Sequence, residues 1–123
     1  MTSPRFIAFS LQQPTPEYDH PAPARQVRGQ PLRTTWPHFT SAAADLHCGV
    51  WACEPGMWRI QFSVDKDEFF CVIEGHIRLH HQDGEQHDVR AGEAGVIPAG
   101  FVGMFEVVSA VRKYFVVVER PQA

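Results

Sequence analysis

Three polar residues in the second half of the chain have the chemistry to move protons or hold a charged ligand. Glu68 stands just before an apolar run, where a carboxylate could act as a general acid or base or anchor an amine-bearing ligand. It could instead be one half of an internal ion pair or hydrogen bond. Lys113 and Tyr114 are adjacent in an apolar stretch, and because neighbours on a strand alternate, one of them must face inward. We take Glu68, Lys113 and Tyr114 as the candidate catalytic residues.

The direction of Lys113 decides what it can do. Facing inward, its ammonium could pair with Glu68 or bind a substrate carboxylate. Facing outward, it would be a solvated charge at the edge of the strand, which is a common place for lysine. The sequence leaves these two alternatives open.

Aromatic side chains supply a possible wall for a flat ligand. They could stack on such a ligand, although aromatic residues of a small domain more often form plain core. The candidate ligand-binding residues are Trp51, Trp58, Phe62, Phe70, Phe101 and Phe105.

The seven histidines and three cysteines show no spacing typical of a metal or catalytic site. A two-residue turn at Asp83-Gly84 would place His80 opposite His87 across a hairpin, where the pair could chelate a stray metal or simply be solvated. We expect Cys48, Cys53 and Cys71 to be free thiols. No local motif supports a Ser-His-Asp or Cys-His set.

The chain must position these residues on short β-strands. Trp58, Ile60, Phe62 and Val64 recur at a spacing of two, which predicts a strand with these four side chains on its inner face. An apolar run from residue 69 to residue 73 predicts a second strand that Gly75 ends in a tight turn. The other predicted elements are a hairpin about Asp83-Gly84, a short strand at 96–98, and strands at 101–107 and 111–118. Many short strands separated by turns indicate a small all-β sandwich or barrel.

Length and charge restrict the function classes. The 123 residues fit one domain, and a net charge of -3 with scattered basic residues argues against nucleic-acid binding. No apolar stretch has the length of a membrane span, and the N-terminus lacks a signal-peptide pattern, so we expect a cytoplasmic protein that does not enter a membrane.

The first 46 residues differ from the rest in composition. They contain seven of the ten prolines, which excludes long helices and central strands and predicts an extended arm over residues 1–46, followed by a barrel over 47–123. Aromatic residues in the arm suit it to dock on its own barrel or on a second copy. We expect a homodimer to which the arm contributes, because an open sheet edge needs a cover.

Two glycine-framed segments carry a family resemblance. They run from Gly56 to Gly75 and from Gly92 to Gly103, with Pro98 and Gly100 inside the second. This frame resembles the two motifs of a cupin, an all-β jelly-roll barrel of the RmlC-like kind. Over residues 47–119 the chain is similar to small single-domain cupins grouped with the cupin domain of (S)-ureidoglycine aminohydrolase, and more distantly to ethanolamine-utilisation cupins.

The resemblance implies a cavity from which the usual metal centre is missing. Three motif positions that hold histidine ligands in cupins are occupied here by Phe62, Val64 and Gly103, so we expect no metal and no cofactor. The frame also implies that Glu68 points into the barrel. A tryptophan of the family is replaced by Phe105, which keeps an aromatic wall without the indole donor.

Two classes of function follow from these expectations. As an enzyme, the protein would carry out hydrolytic or isomerising chemistry on a small polar, nitrogen-containing metabolite, with Glu68 as acid or base. As a binding module, it would sense or sequester such a molecule without turnover. The sequence names neither the substrate nor the class.

Overall fold

Nine β-strands and two single-turn 3-10 helices make up the computed structural model, which describes residues 3–121. The helices are Phe9–Leu11 and Pro23–Arg25, and within the described residues no helix is long and apolar enough to cross a membrane. The strands are β1 (Glu17–Asp19), β2 (Gln26–Arg28), β3 (Arg33–Thr40), β4 (Leu46–Cys53), β5 (Gly56–Gln61), β6 (Lys66–His81), β7 (Gln86–Arg90), β8 (Ala94–Ile97) and β9 (Val102–Glu119). The all-β class predicted from the sequence is confirmed.

Two long antiparallel strands, β6 and β9, organise the sheet. One half of β9 pairs with β4 and the other half with β5, while β6 lies along its opposite edge over nearly the full length. Strands β3 and β1 extend the sheet beyond β4, β2 extends it beyond β5, and β7 and β8 pair with the two halves of β6. The sheet therefore curls so that its two halves can face each other.

The core lies between these two halves. Phe70 and Val72 come from the first half of β6, Ile77 from the second, and all three are almost fully buried. The three cysteines are free, as predicted, and burial raises the pKa of the Cys53 thiol to about 12. A thiol with so high a pKa stays protonated and unreactive at neutral pH.

Gly75 does not end a strand, contrary to the prediction of a tight turn. Strand β6 continues through it as an irregularity in which the register with β9 shifts between Val72 and Ile77. Gly75 has a φ of 92°, and a Cβ atom there would lie 2.1 Å from the carbonyl oxygen of Ala110. The residue is a glycine because the two long strands touch at this point. The shift also changes which side chains face inward, from even to odd positions.

The predicted opposition of His80 and His87 is wrong. The observed pairs are Leu79 with His87 and His80 with Gln86. The loop holds three residues instead of two, since the His81 amide donates to the Glu85 oxygen at 2.8 Å and Gly84 takes a φ of 95°. A type I turn followed by a glycine bulge produces this geometry, and a shift of one residue sends each side chain to the other face.

His80 is consequently buried on the outer face of the sheet. Its Nε2 lies 2.8 Å from Oε1 of Glu106, and Arg28 and Arg78 contact the same carboxylate at 3.3 and 3.5 Å. Burial acts to raise the pKa of Glu106, but the His80 hydrogen bond and the two guanidinium charges outweigh it, so this pKa is lowered. The group is a closed network that satisfies its own charges.

Part of the predicted arm, in the described portion of residues 1–46, joins the sheet of its own barrel. Strand β3 is eight residues long and pairs with β4 on one side and β1 on the other, so the exclusion of a central strand was wrong. Pro37 is accommodated where the register shifts between residues 37 and 39. The separate strands predicted at 101–107 and 111–118 are likewise one strand, β9. The domain boundary at residue 46 stays a prediction.

Candidate functional site

A cavity of about 500 Å³ opens between the inward faces of β3, β4, β5, β6 and β9. Thr35 and Trp51 face each other across the β3–β4 pair, and Trp51 is in turn opposite Lys113 on β9. Because paired residues of antiparallel strands point to the same face, this row of side chains turns together into the cavity. The 3-10 helix at Pro23–Arg25 lies against β5, and Arg25 is one of the residues that line the cavity.

Lys113 and Glu68 form an ion pair at the wall of this cavity. Nζ of Lys113 donates a hydrogen bond to Oε2 of Glu68 over 2.8 Å, and the two side chains are only 5% and 13% exposed. Of the alternatives left open by the sequence, the inward orientation of Lys113 and its pairing with Glu68 are the ones observed. Charges this deeply buried require such a partner.

Three aromatic rings surround the ammonium group of Lys113. Its Nζ lies 4.5 Å from the ring centroids of Trp51 and Phe70 and 4.9 Å from that of Phe105. Each contact at this distance is a favourable cation–π interaction. The side chain of Lys113 is therefore held in one position by a carboxylate and an aromatic box.

The second carboxylate oxygen of Glu68 is available to a ligand. Oε1 makes no hydrogen bond within residues 3–121, while no fully buried side-chain nitrogen or oxygen in that range lacks a hydrogen-bond partner. Oε1 is therefore not sealed in the core. Since Glu68 lines the cavity, this oxygen can accept a hydrogen bond from a bound molecule.

Aromatic rings form a further part of the wall. Trp58 stacks on Phe105 with ring centroids 5.1 Å apart and an interplanar angle of 25°, and Trp51 packs against both. Phe62 follows β5 and also lines the cavity, with Nζ of Lys66 lying 4.6 Å above its ring. These rings offer flat apolar surface to a ligand.

Three predicted site residues lie elsewhere. The Tyr114 side chain is on the opposite face of β9, 48% exposed and near Phe9, so it is not part of the cavity. Phe70 is buried beneath Lys113 and does not line the cavity, and Phe101 packs edge-on against His81. The structure thus brings together six of the nine candidates: Glu68, Lys113, Trp51, Trp58, Phe62 and Phe105.

Four basic residues that line the cavity were missed by the sequence reasoning. They are Arg25, Arg33, Arg59 and Lys66. The Thr-rich start of β3 signals a strand that carries Arg33 and Thr35 inward, but this segment was assigned to the arm. The other three come from separate elements and share no local pattern.

The donor set of a cupin metal centre does not fit these residues. Val64 was expected to face inward, but it lies in the turn after β5 and is 80% exposed. A Cβ atom on Gly103 would lie 2.0 Å from the His80 carbonyl oxygen and 2.8 Å from the Phe101 ring, so no side chain could stand there. Among the described residues, no three His, Cys, Asp or Glu side chains come together as metal ligands. Glu68 is the one motif carboxylate, and its neighbour is an ammonium group.

A curled, nearly all-β sheet with a cavity between its halves is the architecture of the cupin class. The family model of the EutQ-like cupin domain matches residues 40–115, so the chain belongs to that family. A search of curated proteins finds no significant match.

Solved structures agree on the fold. A DUF861-family protein of unknown function from Pseudomonas syringae pv. tomato str. DC3000 is 24% identical, with a TM-score of 0.76 over 91% of this chain and 46% of that chain. The EutQ protein of Clostridium difficile is 24% identical, with a TM-score of 0.63 over 72% of this chain and 69% of that chain. A putative ethanolamine utilization protein Q from Salmonella typhimurium LT2 is 17% identical, with a TM-score of 0.63 over 89% and 100%. The chain spans about half the length of the Pseudomonas protein.

Proposed function

We propose that this cupin binds a small polar metabolite in its cavity and that the Glu68–Lys113 pair contacts the bound molecule. The observation that supports this most directly is the accessible Oε1 of Glu68, next to a carboxylate oxygen already held by Lys113. Oε1 can accept a hydrogen bond from an N–H or O–H group of the ligand, which suits a nitrogen-containing metabolite.

The energetics of the pair support a role in binding over a purely structural one. Removing two charges from water costs several kcal/mol per ion, and well-packed apolar residues of similar size are often as stabilising as a buried ion pair. Aromatic rings line the cavity directly beside the pair, so apolar side chains would fit there as well. A charged pair that reaches the cavity is therefore better explained by what it binds.

As an enzyme, the protein would use Glu68 as the acid or base, with no metal taking part. Lys113 would hold the carboxylate in place through Oε2 and leave Oε1 to exchange a proton with the substrate. This extends to the chain the resemblance to the (S)-ureidoglycine aminohydrolase cupins, with hydrolytic or isomerising chemistry on a small nitrogen-containing metabolite. The alternative is a sensor or binding module that uses the same contacts without turnover.

The test begins with the ligand that the protein itself retains. Native mass spectrometry of freshly purified protein, followed by denaturation and small-molecule analysis, should reveal a stoichiometric metabolite. Glu68→Gln keeps the shape of the side chain but removes its charge, so affinity for that metabolite should fall by at least tenfold. Glu17→Gln, at an exposed carboxylate that does not line the cavity, is the matched control.

The outcomes separate the alternatives. A folded Glu68→Gln variant with unchanged affinity would remove Glu68 from the site. Binding that depends on Glu68, with no conversion of the metabolite in a prolonged incubation followed by NMR, would favour the binding module. Conversion that Glu68→Gln abolishes would favour the enzyme.

A further inference from the structure

The first half of β6, with its neighbours β8 and β9, has an apolar side that faces away from the cavity. Glu68 lines the cavity, so the next residue, Phe69, points to the opposite side. Phe69 lies opposite Val96 on β8 and Val116 on β9, and Tyr114 lies two residues from Val116 on the same side. We call these four side chains, Phe69, Val96, Tyr114 and Val116, the outer patch.

The outer patch is open to solvent although two of its three strands lie inside the sheet. Phe69, Tyr114 and Val96 are 47%, 48% and 61% exposed. Strands β6 and β9 each have paired strands on both edges, so these side chains can be buried only by a layer that packs on the face. Adjacent exposed apolar side chains of this kind mark a surface where another molecule binds.

The neighbouring part of the same side is covered by the protein's own N-terminal segment. Val50, opposite Tyr114 on β4, is buried. Phe9 stacks on His38 with ring centroids 4.1 Å apart, and its ring lies 6.2 Å from that of Tyr114. Beyond Tyr114, towards β6 and β8, the face stays exposed. This side of the sheet is therefore built as an interior face, of which the chain itself covers only a part.

The covering segment carries an apolar side chain that packs on little of its own chain. Phe6 is three residues before Phe9 and is 93% exposed. Three extended residues span about 10 Å, which is the width of about two strands. Phe6 can therefore reach a molecule that lies on the adjacent outer patch.

The exposed apolar area is close to what a stable interface needs. If a fully exposed ring contributes about 200 Å², the rings of Phe6, Phe69 and Tyr114 expose about 380 Å² together, and Val96 adds to this. A standard interface buries about 800 Å² on each partner, of which about 60% is apolar. These four side chains thus supply most of the apolar area that one partner contributes.

The charged residues at the border of the outer patch are of both signs. Asp67, two residues before Phe69, forms an ion pair with Arg120. At the other end, Arg112 is in register with Glu74. The border therefore offers no single sign of charge that would select an oppositely charged partner, and two copies of it can meet without like charges being forced together. A second copy of this chain fits such a face.

We propose that a second copy of this chain covers the outer patch, so that the two patches meet about a two-fold axis and the Phe6 side chain of each copy packs on the patch of the other. A two-fold axis brings the same surface of both copies together, which an apolar face bordered by both charges permits. The inference identifies β6, β8 and β9 as the interface and does not depend on what the cavity binds.

Sedimentation velocity of the parent protein and of patch variants tests the proposal. At about 10 μM, the parent should have twice the 13.9 kDa mass of one chain. Phe69→Glu and Val96→Glu each place a carboxylate in the interface on both copies, so each should raise the Kd of the dimer at least about a hundredfold. Phe6→Ser should raise it at least about tenfold.

The matched control is Val102→Glu. Val102 is an exposed valine on the other half of β9, where it pairs with Gln61, and its substitution should leave the Kd of the dimer unchanged. Circular dichroism checks that each variant keeps the parental fold. Phe69→Ser, which adds no charge, replaces Phe69→Glu if that variant does not fold, and should raise the Kd at least about tenfold.

Several results would overturn the proposal. A parent protein that is a monomer at this concentration would do so, whether or not it captures a different protein through the outer patch. Folded patch variants that dimerise as tightly as the parent would do so as well, and so would a loss of affinity in Val102→Glu equal to that in Val96→Glu. An unchanged Kd in Phe6→Ser would refute the exchange of Phe6 between copies.

Discussion

Replacing Lys113 by methionine should be one of the most destabilising changes in this protein. The substitution removes the ammonium group that lies 2.8 Å from Glu68 and leaves a carboxylate that is 13% exposed without its partner. Breaking a buried pair in this way costs about 3–5 kcal/mol, and the access of Oε1 to the cavity places the expected cost near the lower value, about 3 kcal/mol. Methionine fills much of the same space and can pack on the aromatic box, so loss of volume adds little.

The assay is thermal and urea unfolding followed by circular dichroism. For a chain of this length, a loss of about 3 kcal/mol corresponds to a melting temperature lower by roughly 10–15 °C. The double variant Glu68→Gln, Lys113→Met removes both charges and should be more stable than Lys113→Met alone. Lys66→Met is the matched control, because this lysine has no ion-pair partner in residues 3–121, and its cost should stay below about 1 kcal/mol.

Melting of Lys113→Met within two or three degrees of the parent protein would refute this reasoning, since such a result cannot come from a carboxylate left buried and unpaired. A double variant less stable than both single variants would also contradict it. In that case the aromatic box, and not the charge pair, would dominate the energetics of the site.

Three further predictions concern acid, metal and assembly. The lowered pKa of Glu106, which its contacts with His80, Arg28 and Arg78 maintain against burial, means that its contribution to stability is present above pH ~4.3 and is lost as the pH falls through the lower folded pKa. Glu106→Gln should therefore flatten the acid side of a profile of melting temperature against pH. Elemental analysis of untagged protein should find no stoichiometric divalent metal, whereas about one Mn, Fe, Ni or Zn per chain, removed by chelation with loss of stability, would contradict this. Sedimentation velocity should show a homodimer to which residues 1–46 contribute, and a monomer at micromolar concentration would contradict that.

The sequence was most informative where a local rule determines the structure. The glycine frame from Gly56 to Gly103 predicted the class of fold, and the family match over residues 40–115 confirms the cupin. Alternation along a strand established that either Lys113 or Tyr114 faces inward. It could not decide between them, because the phase of β9 is set by its pairing with β4, where Lys113 lies opposite Trp51.

The errors arose where one extra residue in a strand or loop changed the phase. The extra residue of the loop at Gly84 shifts the pairing by one, so that His80 lies opposite Gln86 and not His87. At Gly75, where the sequence predicted the end of a strand, β6 continues through an irregularity in its pairing with β9. A bulge and a turn both use glycine at positive φ, so the residue type alone does not separate them.

The basic residues of the cavity lining could not be predicted for a different reason. Arg25 belongs to a 3-10 helix, Arg59 to β5 and Lys66 to the start of β6, and only the folded sheet brings them together. No spacing in the sequence links residues that meet through tertiary structure.

The central place of β9 has a consequence for how the polypeptide is made. Strands β4, β5 and β6 all pair with β9, which follows all of them in the chain. While residues 102–119 are still inside the ribosome, each of the three earlier strands lacks a neighbour and presents unpaired amide and carbonyl groups to other nascent chains. The sheet can close only after β9 has been translated, so protection by a chaperone during synthesis should matter more for this protein than for one built from consecutive hairpins.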